Sequence, residues 1–416
     1  MNADATPEAL RPGLVLRGAN LLLLAVWGVV AAFPLVWIAA MSTKAPLDGF
    51  SAHAADVLLG PVTRAQSGGV SVLDCLVAGG LVALLLWLPS RFGADVAARL
   101  APRTGGIGGA PVSRRMWLGW LLAAVPYLAL ALLLLLFVLP PVLRGLEAAL
   151  SPLPLVGPLA RPFLGVTGEH YRAVWVDNAF YRQFLNSMMV TGGVVLVSLS
   201  VGTLAGYALA RTTSGTAFWL LIAALVFRAL PHSVLVAGYL PPMITSHEWL
   251  QPLWDSPWSG WFLRLFAAEP PTLYGQKLAV ILVLVAINQP FTIWMLRSFF
   301  ANVPAELDEA ARVDGCGHFE AFRRVIMPVM WPGVITTGLF SFLLAYNDFL
   351  VTSLLLDQQS QTMVPAIAGF LARENSSADQ LQAIAAAVSI IAPLFLLVMV
   401  FQRQIVSGLT QGAVKG

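Results

Sequence analysis

The chain has 416 residues, of which 58% are apolar and only 11% charged. That is about half the charged share of a soluble domain, too little polar surface for a water-soluble globule of this size. A net charge of +3, spread along the chain, offers nucleic acid no basic patch. The two cysteines, Cys75 and Cys316, fall in an expected span and an expected cytoplasmic loop, so no disulfide framework is implied. The five scattered histidines show no metal-ligand spacing.

A membrane helix needs about 20 mostly apolar residues, and about eight segments qualify. They are roughly 19–41, 71–89, 116–140, 186–210, 216–240, 277–300, 332–356 and 381–402. The expected fold is therefore an all-α polytopic membrane protein. The first segment is too long, and lacks the small-residue cleavage pattern, for a removed secretory signal. Lys and Arg favour a cytoplasmic N-terminus and C-terminus, since the loop over 90–115 alone holds Arg91, Arg99, Arg103, Arg114 and Arg115. Gly105 to Gly109 in that loop has no following Lys-Ser or Lys-Thr, so it reads as a flexible linker and not a phosphate cradle.

In the fourth span Ser198, Gly202 and Gly206 are four apart and share one face, which lets a neighbouring helix approach closely. Arg228 and His232 lie one turn apart in the fifth. The loop over 243–276 is rich in tryptophan (Trp249, Trp254, Trp258 and Trp261) and suits either a membrane-interface layer or a surface that receives another protein. Asn288 and Gln289 precede Pro290 in the sixth span, where proline can kink a helix. Tyr346, Asn347 and Asp348 sit in the seventh. Polar groups in spans face a cavity or a partner. These sets either line a polar passage for a hydroxyl-rich solute, with Arg228 paired to Asp348, or serve as interhelical hydrogen-bonding groups.

A polar stretch separates the sixth and seventh spans. Pro304 fits a first helical turn, and Glu306, Asp308 and Glu309 suit a helix N-terminus. Ala310 and Ala311 keep one surface small. Gly315 is the natural stop, because glycine takes the left-handed conformation without strain. A second short helix is expected from about His318 to Met327, ended by Pro328. Such a hairpin between two spans reads as a docking knob.

This hairpin resembles the EAA loop in permease subunits of binding-protein-dependent ABC importers. Glu309, Ala310, Ala311, Gly315, Ile326 and Pro328 match its pattern, Met327 stands where Leu is usual, and Asp314 and Phe322 fit the carbohydrate-importer version. His170 to Arg172, Phe184 to Ser187, Leu204 to Arg211, Arg228 to Pro231, Asn288 to Phe291 and the tail over Gly408–Gly416 resemble further parts of that family. The likeness is to the maltose-permease, MalG-like type. It covers about 250 residues plus the first span.

The resemblance implies six spans of an ABC type I importer core within the larger set. It divides the chain into an N-terminal segment and first span (1–42), an insertion carrying two extra spans (43–165) and a permease core (166–416) with the EAA loop at 304–328. It further implies a second permease subunit, two ATP-binding subunits, an extracytoplasmic solute-binding protein and a sugar-like or polyol-like solute, in a bacterial inner membrane. ATP and Mg would bind the partner ATPase, this chain having no cofactor, no metal and no catalytic residues of its own. The alternative class is an ion-coupled secondary transporter or a membrane-embedded enzyme. The first should show several carboxylates in its spans and an internal repeat, yet only Asp348 lies well inside one. The second should show a metal or nucleophile constellation, and none is visible in the sequence.

Overall fold

The structure, a computed structural model, describes residues 14–100, 126–127, 130–131, 133–153, 157–212, 214–230, 232–264, 271–372 and 376–413. The chain divides into two compact units, Met1–Glu169 and His170–Gly416.

The first unit begins with helix α1 (Leu14–Met41), apolar enough to span a membrane. Three short helices follow: α2 (Pro46–Gly49), α3 (Ala54–Leu59) and α4 (Pro61–Ser67). Strand β1 (Gly69–Ser71) pairs antiparallel with β2 (Pro162–Gly165), and α5 (Val72–Leu100), α6 (Leu139–Leu150) and α7 (Gly157–Ala160) lie between them in sequence. The residues after α1 are thus a folded module and not a plain connection. Its centre is the buried Asp48 carboxylate. That carboxylate accepts the Thr63 N–H at 2.6 Å and the Thr63 hydroxyl at 2.7 Å, while Thr63 Oγ1 accepts the Ala45 N–H. Lys44, also buried, donates from Nζ to the Gly165 carbonyl, which ties the two ends of the module together. Burial lowers the Lys44 pKa, and Asp48 nearby opposes that shift.

The second unit is built on three long helices. Helix α8 (Tyr181–Arg211) packs along α13 (Lys277–Ala301), and both pack on α16 (Met327–Tyr346). Shorter helices surround them: α9 (Gly215–Arg228), α10 (His232–Ile244), α11 (Ser246–Asp255), α12 (Gly260–Leu263), α14 (Glu306–Val313), α15 (His318–Ala321), α17 (Leu350–Leu355) and α18 (Met363–Leu371). A last long helix, α19 (Ser377–Ala413), packs on α16 and α18. Lipid is as apolar as leucine, so close packing of small residues holds such helices together. Ser198, Gly202 and Gly206 are all buried, and the two glycines face α13. A Cβ at Gly202 would lie 2.7 Å from Thr292 Cγ2, and one at Gly206 would lie 2.9 Å from Leu296 Cβ and 3.0 Å from the Arg297 backbone nitrogen.

Several expected spans differ from the observed helices. Among the described residues five helices are long and apolar enough to cross a membrane: Gly18–Met41, Tyr181–Arg211, Lys277–Ala301, His318–Tyr346 and Ser377–Gln402. Val72–Leu85 and Gly215–Val226 are shorter apolar stretches, and most of the expected span over 116–140 lies outside the described residues. The segment over 216–240 is two helices, not one. Helix α9 stops at Arg228, three residues before a proline in the sequence that brings no N–H to the ladder. Helix α5 continues to Leu100, so the first part of the expected basic loop is helical. The segment over 332–356 starts earlier and breaks at Asn347 to Phe349. There the Asp348 carboxylate accepts the Thr352 N–H, an orphan donor in the first turn of α17, and so favours a new start over continuation.

The α8–α13 contact gives a direct test. Gly206→Val should destabilise the protein by about 1–3 kcal/mol through overpacking, read as a lowered melting temperature in detergent. Gly192→Ala, on the same helix but with nothing within 4 Å of its added carbon, should melt like the parent.

Candidate functional site: the hairpin between two spans

The hairpin is built by local rules on its outer edge. Helix α14 opens with the Ala305 carbonyl accepting N–H groups from Asp308 at 3.0 Å and Glu309 at 3.2 Å, and Glu306, Asp308 and Glu309 occupy its first turn. It ends at Val313, with Asp314 as its C-cap and Gly315 next at φ +89°. The Gly315 N–H donates to Arg312 O and the Cys316 N–H to Ala311 O, both at 3.0 Å. This pair of bonds is the Schellman stop that only glycine enters without strain. Pro304 stands just ahead of α14, where its carbonyl accepts the Leu307 N–H.

Pro328 does not end the second helix, contrary to the sequence expectation. Helix α15 passes through a widened π turn, Phe322–Ile326, into α16, and the helix runs unbroken from His318 to Tyr346. A π turn just before a proline makes room for the ring and absorbs the missing N–H, so the helix continues. The second arm of the hairpin is therefore the beginning of a membrane span.

Non-local contacts fix the first arm. Asp308, half-buried, accepts from Tyr207 Oη at 2.6 Å on one oxygen and from Arg211 Nε at 2.7 Å on the other. Both donors stand on the last turn or two of α8. Arg211 Nη1 also donates to the carbonyls of Val303 at 3.0 Å and Phe300 at 3.4 Å, at the C-terminal end of α13. One guanidinium thus joins the ends of α8 and α13 to the start of α14. Around it lies an apolar cluster of Leu296, Phe299, Phe300, Val303, Phe322, Ile326 and Met330, with the Tyr207 ring 4.9 Å from that of Phe322. A charge-assisted pair of this kind is worth about 1.5–3 kcal/mol where water is partly excluded.

With its base held, the hairpin presents its tip. Glu309, Ala310, Arg312, Asp314 and Gly315 are exposed, while Ala311 turns inward and is buried. Val313 is 86% exposed and Phe319 67% exposed, two large apolar groups on a polar loop. Pro328 is exposed too. Of the residues matched to the EAA pattern, Ala311 and Ile326 are structural, and Glu309, Ala310, Asp314, Gly315 and Pro328 are accessible.

Several polar residues of the spans bond between helices. Asn288 is buried and donates to Ser341 Oγ at 2.8 Å, linking α13 to α16, and Gln289 donates to the Ser198 carbonyl at 3.3 Å, linking α13 to α8. Asn288 Oδ1 and Gln289 Oε1 have no hydrogen-bond partner among the described residues. Tyr346 donates to the Ile390 carbonyl on α19, and Asn347 and Asp348 stand at the break after α16 instead of inside a span. The Arg228 guanidinium lies over the Phe291 ring, 4.6 Å from its centroid. Arg211–Asp308 at 2.7 Å and Arg324–Glu320 at 2.8 Å are ion pairs of the described residues. The side chain of His232 lies outside the described ones.

A family profile described as "binding-protein-dependent transport system inner membrane component" matches residues 114–411. The chain belongs to that family. It is thus a multi-pass inner-membrane permease, and a transport subunit. It is 33% identical over 253 residues to the diacetylchitobiose uptake system permease protein DasC of Streptomyces coelicolor, a match covering 60% of this chain and 82% of that one. The trehalose transport system permease protein SugB of Mycobacterium tuberculosis is 31% identical, over 60% of this chain and 83% of that one. The trehalose/maltose transport system permease protein MalG of Thermococcus litoralis is 29% identical, over 60% and 82%. A solved bacterial ABC transporter involved in the import of alginate aligns at 17% identity with a TM-score of 0.43, covering 71% of this chain and 99% of that chain.

The sequence reading missed Tyr207 and Arg211 as partners of the hairpin. The available signal was an arginine ending one apolar helix and an aspartate beside the EAA pattern, nearly a hundred positions away. A double-mutant cycle on Arg211→Ala and Asp308→Asn should give a coupling of about 1–3 kcal/mol in unfolding free energy. Additive losses would show that the two side chains act separately.

Proposed function

We propose that this permease is the transmembrane subunit of an ATP-driven ABC importer that moves a sugar or related polyol-like solute into the cytoplasm. The observation that carries the reading is the hairpin. Its base is bolted to α8 and α13, its second arm continues into a span, and its tip exposes Val313 and Phe319 on a loop too polar to enter lipid. Exposed apolar groups on a rigid knob suit insertion into a cleft of another protein. In this reading the cleft belongs to an ATP-binding subunit that holds ATP and Mg. Glu309, Ala310 and Asp314 line the contact, Ala311 and Gly315 shape the knob, and Pro328 marks where it enters α16. Closure of two such subunits pulls on the knob and tilts the attached helices as rigid bodies.

The remaining partners are a second permease subunit and an extracytoplasmic solute-binding protein. The sugar class draws its support from the relatives, whose names refer to diacetylchitobiose, trehalose and maltose. The buried acceptors Asn288 Oδ1 and Gln289 Oε1 are suited to hydroxyl-rich solute when the helices part. Arg228, His232, Tyr346, Asn347 and Asp348 complete the proposed path. Residues 43–165 are proposed as an accessory insertion that is not part of that path.

Gly315→Val tests the hairpin. A β-branched residue does not readily take φ near +89°, so the Schellman stop opens and the tip is re-aimed. The variant should insert in the membrane and fold, yet lose the co-purifying ATPase and solute uptake. Normal uptake with normal ATPase association would refute the docking role.

A further inference from the structure

Helix α11 and the turn after it carry a surface that transport does not explain. The helix follows α10 with only Thr245 between them. Its first residue, Ser246, is buried, and Ser246 Oγ accepts the Leu273 N–H at 2.8 Å and lies 3.4 Å from Thr272 Oγ1. Leu273 is four residues ahead of Lys277, where the span α13 begins. This bond therefore pins the start of α11 close to the start of the apolar helix α13.

Around its axis α11 has three sectors. Ser246 and Trp254 face the protein and are buried. The Trp254 ring is further held by Arg264, stacked 5.5 Å from its centroid. A second sector carries Trp249 and Leu253, one turn apart and 52% and 51% exposed, with Pro252 beside them. The third carries His247, Glu248, Gln251 and Asp255. Beyond the helix, Trp258 and Trp261 are 89% and 63% exposed. Such an apolar sector at the mouth of a span meets the boundary between lipid headgroups and acyl chains, where the amphipathic indole is most at home.

We infer that α11 lies in the plane of the membrane interface and binds lipid there through Trp249, Leu253, Trp258 and Trp261. The helix bears the acids Glu248 and Asp255 and no Lys or Arg, so attraction to anionic lipid does not hold it. The anchoring rests on apolar burial and on the indoles alone.

The test uses the assembled complex in vesicles of phosphatidylcholine, with or without phosphatidylglycerol. Bimane is attached at Leu253→Cys, Trp258→Cys or, as the polar-sector control, Glu248→Cys, and the parent signal from Cys75 and Cys316 is subtracted. Solute uptake by each variant confirms assembly. Lipid carrying a spin label near the headgroup should quench the 253 and 258 sites severalfold more than the 248 site. Aqueous iodide should show the reverse order, and phosphatidylglycerol should change neither. Equal iodide access at 253 and 248 in vesicles overturns the proposal. So does shielding of the 253 and 258 sites that appears only when the solute-binding protein is added, since the surface would then be a protein receiver.

Discussion

The Arg211–Asp308 pair is the constraint on which the proposed function depends. A hairpin between two spans is free to swing about its two connections unless something fixes its base. Here both carboxylate oxygens of Asp308 are taken by the end of α8, and the same arginine reaches the last carbonyls of α13. The ends of two long apolar helices and the first arm of the hairpin therefore meet in one polar node. The node sits in an aromatic cluster that limits water, so its hydrogen bonds are stronger than they would be at an open surface.

The second arm is rigid for a different reason. The π turn over Phe322–Ile326 lets the helix pass Pro328, so His318 and Tyr346 belong to one rod. In the proposed mechanism a displacement at the tip would be delivered to α16 along this rod and to α8 through the node. The contacts that receive it inside the membrane are tight: glycines of α8 against Thr292 and Leu296, and the Asn288–Ser341 bond between α13 and α16. Close packing of this kind transmits a shift instead of absorbing it.

What the sequence disclosed and what it hid follow from the range of the forces involved. Gly315 was legible because its conformation is set by the few residues around it. The small face of Ser198, Gly202 and Gly206 was legible because helical periodicity alone places it. The fate of Pro328 was not, since ending a helix and following a π turn begin from the same residue. Asn347 and Asp348 looked like polar groups within a span, and only the Thr352 N–H bond shows that they mark a break. The partnership of Asp308 with Tyr207 and Arg211 joins distant segments and leaves no local pattern. The module over Pro46–Ser67 is likewise held by Asp48, Thr63 and Lys44, polar residues that read from sequence alone as ordinary loop.

The central claim is that the exposed tip of this hairpin, with its base fixed on the spans, is the seat of an ATP-binding subunit. Site-directed cross-linking from Ala310→Cys in native membranes tests it most directly. A short bifunctional reagent should join this position to the ATP-binding subunit in high yield, and the yield should change on adding ATP. Cross-links that form only to lipid-embedded chains, or none in a complex that still transports, would contradict it.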